Sequence, residues 1–299
     1  MRELKILAVV VFFTGALYWG VEPFAHSKLH PDVPAPDYTF KTVDKENKVH
    51  EVDGLNGLVG DATKGAEQVA MNCTACHSIT VAGFPAVMDD ASAAAVYGVV
   101  PPDLSTAGHL YDANFLASFI KDPATATKTT HKFEDGHVHP MPGYAWMPPQ
   151  DIADIVAYLQ SIAPEEMTNK EVFVDACQRC HSIKYGDFYG GTMTAKTPDE
   201  NIKSYMGKIP PDLSQHIRSR STGYLHEFIN DPQKHLEGTA MPRVGLTQAA
   251  EEQVIGYLTE VGDSKKEQRE SLGGPFLGYL VIFAIFAWLW KIKIWRQVH

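Results

Sequence analysis

"MNCTACHSIT" occupies residues 71–80, and "DACQRCHSIK" occupies residues 175–184. Both stretches contain Cys-x-x-Cys-His-Ser-Ile, and between them they hold all four cysteines of a 299-residue chain. The duplication extends outward from there. PPDLS stands at 101–105 and again at 210–214, and FIKDP at 119–123 is answered by FINDP at 228–232. HPMPG at 139–143 is answered by TAMPR at 239–243, and AYL at 157–159 by GYL at 256–258. Asp103 precedes Pro123 by 20 residues, and Asp212 precedes Pro232 by the same 20. A repeat of about a hundred residues is a duplicated domain, not a solenoid of short units.

The periodicity between these motifs is helical. "DATKGAEQVAMN" at 61–72 reads as a helix running into the first Cys pair. In "QDIADIVAYLQSI" at 150–162, Ile152, Ile155, Val156 and Leu159 follow the i, i+3, i+4, i+7 spacing of one helix face. "TQAAEEQVIGYLTEV" at 247–261 repeats the pattern with Val254, Tyr257, Leu258 and Val261. No strand-like alternation separates the motifs, so the expected fold class is all-α.

Two thiols three residues apart, followed at once by a histidine, form the attachment signature of c-type haem. The thiols reach the two vinyl groups of a porphyrin, and the histidine ligates the iron. Two Cys pairs also suit zinc, but zinc ribbons space their pairs by about 15–20 residues, and a thioredoxin-like dithiol needs a βαβ context. Neither accounts for the histidine in both copies. The expectation is two covalently bound haem c groups, one held by Cys73, Cys76 and His77, the other by Cys177, Cys180 and His181. A thioether is a common sixth ligand that favours ferrous iron. Met141 and Met241, each followed by Pro, are the expected ones, lying 17 and 16 residues before Tyr158 and Tyr257. Met147 is the rival in copy one. Met88, Met193 and Met206 read as core or surface residues. His109, His131, His137 and His139 read as exposed loop histidines, with a metal-binding or ligand-switching role left open. The PPDLS prolines are expected to offer carbonyls to the haem-ligating histidines, a contact that orients such ligands.

The formal net charge is −10, which argues against nucleic-acid binding, since phosphate contacts need clustered Lys and Arg. Both ends of the chain are apolar. Ile6–Val21 follows Arg2 and Lys5, and Pro275–Trp290 precedes Lys291, Lys293 and Arg296. Each run approaches the ~20 residues that span a bilayer, and the positive-inside rule puts both termini in the cytoplasm. The first run also fits a cleaved signal peptide, and the second a buried core helix. The expected organisation is an N-terminal span or signal anchor at 1–21, a linker at 22–56, haem domains at 57–165 and 166–264, and a C-terminal anchor at 273–292.

The helix before each Cys-x-x-Cys-His, the Met-Pro loop and the closing Tyr-Leu helix resemble class I cytochrome c, in duplicate. Gly65 and Val69 hold the family's helix-crossing positions in copy one, while Asn169 and Phe173 take those places in copy two. PPDLS together with a C-terminal anchor and basic tail is similar to cytochrome c₁, and two haem motifs make the chain resemble a dihaem cytochrome c₁-like subunit of a bacterial bc₁ complex. That resemblance implies an electron-transfer subunit, not catalytic alone. It would carry electrons from a Rieske iron–sulfur protein to a periplasmic cytochrome c, with cytochrome b as membrane partner. It also implies a place in the inner membrane with the haem domains on the periplasmic side. The alternatives are the dihaem subunit of a cbb₃-type oxidase, a freestanding membrane-anchored shuttle and a dihaem peroxidase.

Overall fold

The computed structural model describes residues 2–29, 38, 42–43, 49–50, 54–133, 138–189 and 199–298. Among these the chain is all-α, apart from one two-residue strand pair, Thr42–Val43 with Val49–His50. The N-terminal helix runs as α1 (Arg2–Ala16), a π turn (Leu17–Val21) and α2 (Glu22–Leu29). The expected linker therefore begins later than residue 22. Pro23 lacks the N–H that an α-helix would direct to Trp19. The wide turn ahead of it is visible in the Glu22 N–H, which donates to Leu17 O, and such bulges absorb local misfits in a helix.

Among the described residues two runs of six α-helices follow in matching order. The first holds α3 (Ala62–Asn72), α4 (Asp90–Tyr97), α5 (Ala107–Leu110), α6 (Ala113–Lys121), α7 (Pro123–Ala126) and α8 (Pro149–Ile162). The second holds α9 (Asn169–Ala176), α10 (Asp199–Met206), α11 (His216–Ser219), α12 (Thr222–Asn230), α13 (Pro232–His235) and α14 (Gln248–Gly262). Capping follows the sequence. Asp61 caps α3 and Thr247 caps α14, while Thr168 and Glu171 close a reciprocal capping box on α9, the arrangement that satisfies orphan N–H groups at a helix start.

In each run the first helix crosses the last, α3 on α8 and α9 on α14. Val69 and Phe173 lie at these crossings, both fully buried. In copy one the close approach depends on Gly65, where a Cβ would sit 1.9 Å from the Asp154 carbonyl oxygen. In copy two the glycine has changed helices. Asn169 stands on α9 and Gly256 on α14, where a Cβ would meet the Asn169 amide at 2.8 Å. Asn169 uses the space to donate to Glu260 Oε1 at 2.6 Å. Gly65→Ala is therefore expected to cost roughly 3 kcal/mol, because only backbone can yield there. Gly256→Ala meets a side chain that can swing away and is expected to cost about 1 kcal/mol or less. Thermal unfolding of the two variants compares them directly.

The copies are fastened by main-chain contacts. Tyr111 bridges Leu246, the Asp112 N–H donates to Gly245 O at 3.0 Å, and the Thr247 N–H donates to Leu110 O at 2.9 Å. Leu110 is 2% exposed within a core whose other buried members all come from copy two. Lys128 pairs with Asp231 at 2.5 Å. Lys132 reaches α10, donating to Tyr205 O at 3.0 Å and lying 4.4 Å from the centre of the Tyr205 ring.

The last helix, α15 (Lys266–Val298), is longer at both ends than the expected 273–292. Two helical stretches, Arg2–Lys28 and Lys266–Val298, are long and apolar enough to cross a membrane, and neither is buried in the protein. Glu3 and Lys291 form an ion pair at 2.6 Å, so the two stretches meet at the ends that carry the chain termini.

Candidate haem-attachment sites

Each Cys-x-x-Cys-His extends the helix before it by one tight loop. In copy one the Cys73 N–H donates to Val69 O at 2.9 Å, and the Cys76 and His77 N–H groups return to Cys73 O at 3.1 and 2.9 Å. In copy two Cys177 donates to Phe173 O at 2.9 Å, and Cys180 and His181 return to Cys177 O at 3.2 and 3.0 Å. All four cysteines are free thiols. Burial pushes the Cys73 thiol up to about 11 and the Cys177 thiol up to about 12, and it raises Cys180 as well. Cys76 is exposed, with its sulfur 3.8 Å from the Tyr97 hydroxyl.

The histidines are oriented from behind. His77 Nδ1 lies 2.8 Å from the Pro102 carbonyl oxygen, and His181 Nδ1 lies 2.9 Å from that of Pro211. A carbonyl oxygen only accepts, so Nδ1 carries the proton and Nε2 keeps its lone pair. Burial lowers both histidine pKa values against the opposing effect of that carbonyl, with Arg179 adding to the lowering at His77 and His216 at His181. Neutral imidazole is the form that ligates a metal.

The PPDLS aspartates lock the carbonyls in place. Asp103 Oδ2 accepts from the Ser78 hydroxyl at 3.0 Å and the Thr80 N–H at 3.3 Å, and its Oδ1 accepts from the Ser105 N–H at 2.8 Å. Asp212 Oδ2 accepts from the Ser182 hydroxyl at 2.9 Å and the Lys184 N–H at 3.0 Å, and its Oδ1 accepts from the Ser214 N–H at 3.0 Å. Burial alone would raise both carboxyls, but these hydrogen bonds outweigh it and hold them below the ordinary range. Ser-Ile after each histidine thus has a use. The serine ties the motif to PPDLS, and Ile79 and Ile183 are both fully buried.

The Met-Pro loops also match. Met141 and Met241 are both half-buried. The Met141 N–H donates to His139 Nδ1 at 3.1 Å, and the Met241 N–H donates to Thr239 Oγ1 at 3.3 Å. Met147 is 5% exposed in the core of copy one, immediately before the α8 N-cap Pro148. Leu246, 1% exposed, holds the same station before the α14 N-cap Thr247. Met206 is buried and Met88 exposed, while Met193 and His137 lie outside the described residues.

His139 corrects the reading of the loop histidines as solvent-exposed. It is half-buried, its ring centre 4.9 Å from that of Phe133 and 6.3 Å from that of Phe119, and it braces the backbone of Met141. His109 Nδ1 lies 3.0 Å from Pro164 O, against the connection between the copies. His131 is exposed. Among the described residues no three His, Cys, Asp or Glu side chains gather to hold an ion, so the two Cys pairs do not assemble a four-cysteine zinc site.

The donor set fits haem c in each copy: two free thiols at the attachment spacing, and one imidazole with its outer nitrogen tied and its inner one available. One cluster went unnoticed in the sequence. Arg179, inside the second motif, donates from Nη1 to Asp175 O at 2.6 Å and from Nη2 to the Tyr111 hydroxyl at 3.4 Å. The Thr106 hydroxyl donates to Asp175 Oδ2 at 2.7 Å. Copy one has Ala75 where copy two has Arg179, so comparison of the repeats gave no signal.

Residues 62–163, which contain α3 to α8, match the cytochrome c family model. The chain therefore carries a cytochrome c domain, and such a domain implies covalently bound haem c. No curated protein matches the chain. Among solved structures, a chain titled "Hyperthermophilic respiratory Complex III" is similar at 21% identity over 44% of this chain and 75% of its own, with a TM-score of 0.34. That likeness is too slight to bear on fold or function.

Proposed function

We propose that this protein is a dihaem c-type cytochrome, the cytochrome c₁-like subunit of a quinol–cytochrome c oxidoreductase, and that it passes electrons from a Rieske iron–sulfur protein to a periplasmic cytochrome c. The observation that carries the two-haem reading is the matched pair of histidine–proline contacts, 2.8 Å at His77 and 2.9 Å at His181. The same loop, carbonyl and aspartate are built twice, and the family-model match covers the first copy.

Haem c supplies a one-electron ferric/ferrous couple when bound. Cys73 and Cys76, and Cys177 and Cys180, would hold the haems covalently, each thiol supplying the sulfur of one thioether bond. His77 and His181 present Nε2, fixed in direction by Pro102 and Pro211. Met141 and Met241 offer thioethers from loops of matching construction, with Met147 left to the core as the counterpart of Leu246.

The bc₁ assignment is supported by PPDLS and by the C-terminal span with its basic tail. Purification in mild detergent tests it. Cytochrome b and a Rieske protein should accompany the chain, whereas a copper–haem oxidase in their place would move it to the cbb₃ class. Peroxide turnover by the isolated chain would instead make it a peroxidase. Ligation is tested by the weak absorption band of oxidised His/Met haem near ~695 nm, a property of the iron–thioether bond in general. Met241→His should lower one midpoint potential, because imidazole favours ferric iron relative to thioether. Met141→Ala should abolish one thioether-ligated site while Met147→Ala leaves both. The opposite result transfers the ligand role to Met147.

A further inference from the structure

Arg179 sits at the junction of the two attachment sites. It belongs to the second Cys-x-x-Cys-His, two residues before His181, yet its guanidinium turns towards copy one and donates to the Tyr111 hydroxyl. The cleft it lines is shared with Pro102, whose carbonyl holds His77. Asp103 and Asp175 line the same cleft. The Asp103 carboxylate is committed to Ser78, Thr80 and Ser105, and that of Asp175 to Thr106. Among the described residues that line this cleft, Arg179 is the one cation. The copies are not equivalent here. Ala75 occupies the Arg179 position in copy one, and Arg220 occupies the Tyr111 position in copy two, where it is exposed and stacks on Tyr224 at 5.2 Å.

We infer that Arg179 is a charge shared by both iron sites, which raises the midpoint potential of each by favouring the less positive ferrous state, and which acts on copy one from across the interface. This rests on the two-haem reading for its second site. A guanidinium remains charged at any working pH. A half-buried unit charge is incompletely screened by water and salt, so its field reaches groups on either side of the cleft. Tyr111 and the Asp175 carbonyl act as positioning groups that hold it there.

The test is a spectroelectrochemical titration of the full-length holoprotein and its variants, with intact mass counting haems in each. Arg179→Gln should lower both midpoints, each corresponding to a severalfold to tenfold fall in the ferrous/ferric ratio at fixed applied potential. Arg179→Lys should restore most of both shifts, which a purely structural role would not produce. Arg179→Met, which keeps an apolar stem without the charge, is the second neutral variant and must match Arg179→Gln. Unchanged midpoints, movement of only one of two, or equal shifts in the Lys and Gln variants overturn the inference. The haem count of the wild type speaks separately to the two-haem reading. If it shows a single haem on Cys73 and Cys76, that one midpoint must still fall in Arg179→Gln.

Discussion

Cys177→Ser with Cys180→Ser should lower the intact mass by one haem, from two in the wild type to one, and Cys73→Ser with Cys76→Ser should do the same. The reason is chemical. Each copy holds its pair of free thiols at the spacing that two vinyl groups require, and no third pair exists to substitute. The structural consequences should differ in degree. Cys177 packs against a core that contains Leu110 of copy one and has Tyr111 of copy one packed against it, so losing the second haem should also loosen the junction between the copies. Cys73 packs against a core made of copy one's own residues. The second double variant should therefore leave copy two more intact than the first leaves copy one. The measurement is denatured intact mass from a strain competent in cytochrome c assembly. One haem or none on the wild-type chain would falsify the two-site reading.

Legibility in the sequence followed from what the copies share. The attachment motifs, PPDLS, the Met-Pro loops and the crossing helices appear twice, and each is where the repetition placed it. Helices α8 and α14 match the periodic stretches to within a residue. What the copies do not share was hidden. The glycine that permits close crossing sits on α3 in one copy and on α14 in the other, because either helix can give up the space. An alignment by the first helix alone registers that exchange as a loss. The junction was less visible still. Two copies in contact through unlike surfaces must build their interface from differences, so Arg179 answers to Ala75 and Tyr111 to Arg220. His139 was misjudged for a related reason. Thr239 does the same backbone work in copy two with a hydroxyl, and no pattern of residue types reveals that a ring and a hydroxyl are interchangeable there. At the N-terminus the linker expected from residue 22 missed α2, since the π turn that accommodates Pro23 leaves no mark in hydropathy.

Removing residues 273–299 should release the protein from its membrane partners while leaving both haems attached. The cut falls within α15 but spares its root. The Lys266 N–H donates to Asp263 O at 2.9 Å, and Arg269 forks onto the Asp263 carboxylate at 2.7 and 2.8 Å. This bidentate geometry resists displacement better than a single contact, and it joins α14 to α15 across a short turn. Loss of the partner could not then be blamed on damage to the haem sites. What is removed is an apolar surface that is left uncovered among the described residues, apart from the Glu3–Lys291 pair at its far end. A Cβ added at Gly273, Gly274 or Gly278 would meet no atom within 4 Å. Small residues on a membrane helix allow another helix to approach closely, which makes this face the docking surface for cytochrome b under the proposed function. The N-terminal helix would keep the truncated chain at the membrane, held no longer by the Glu3–Lys291 pair. Membrane retention is therefore the wrong readout, and co-purification with cytochrome b the right one. Full co-purification of the truncated chain would move the docking surface to the N-terminal helix or to the haem domains, and would take from the cytochrome c₁ reading its main topological support.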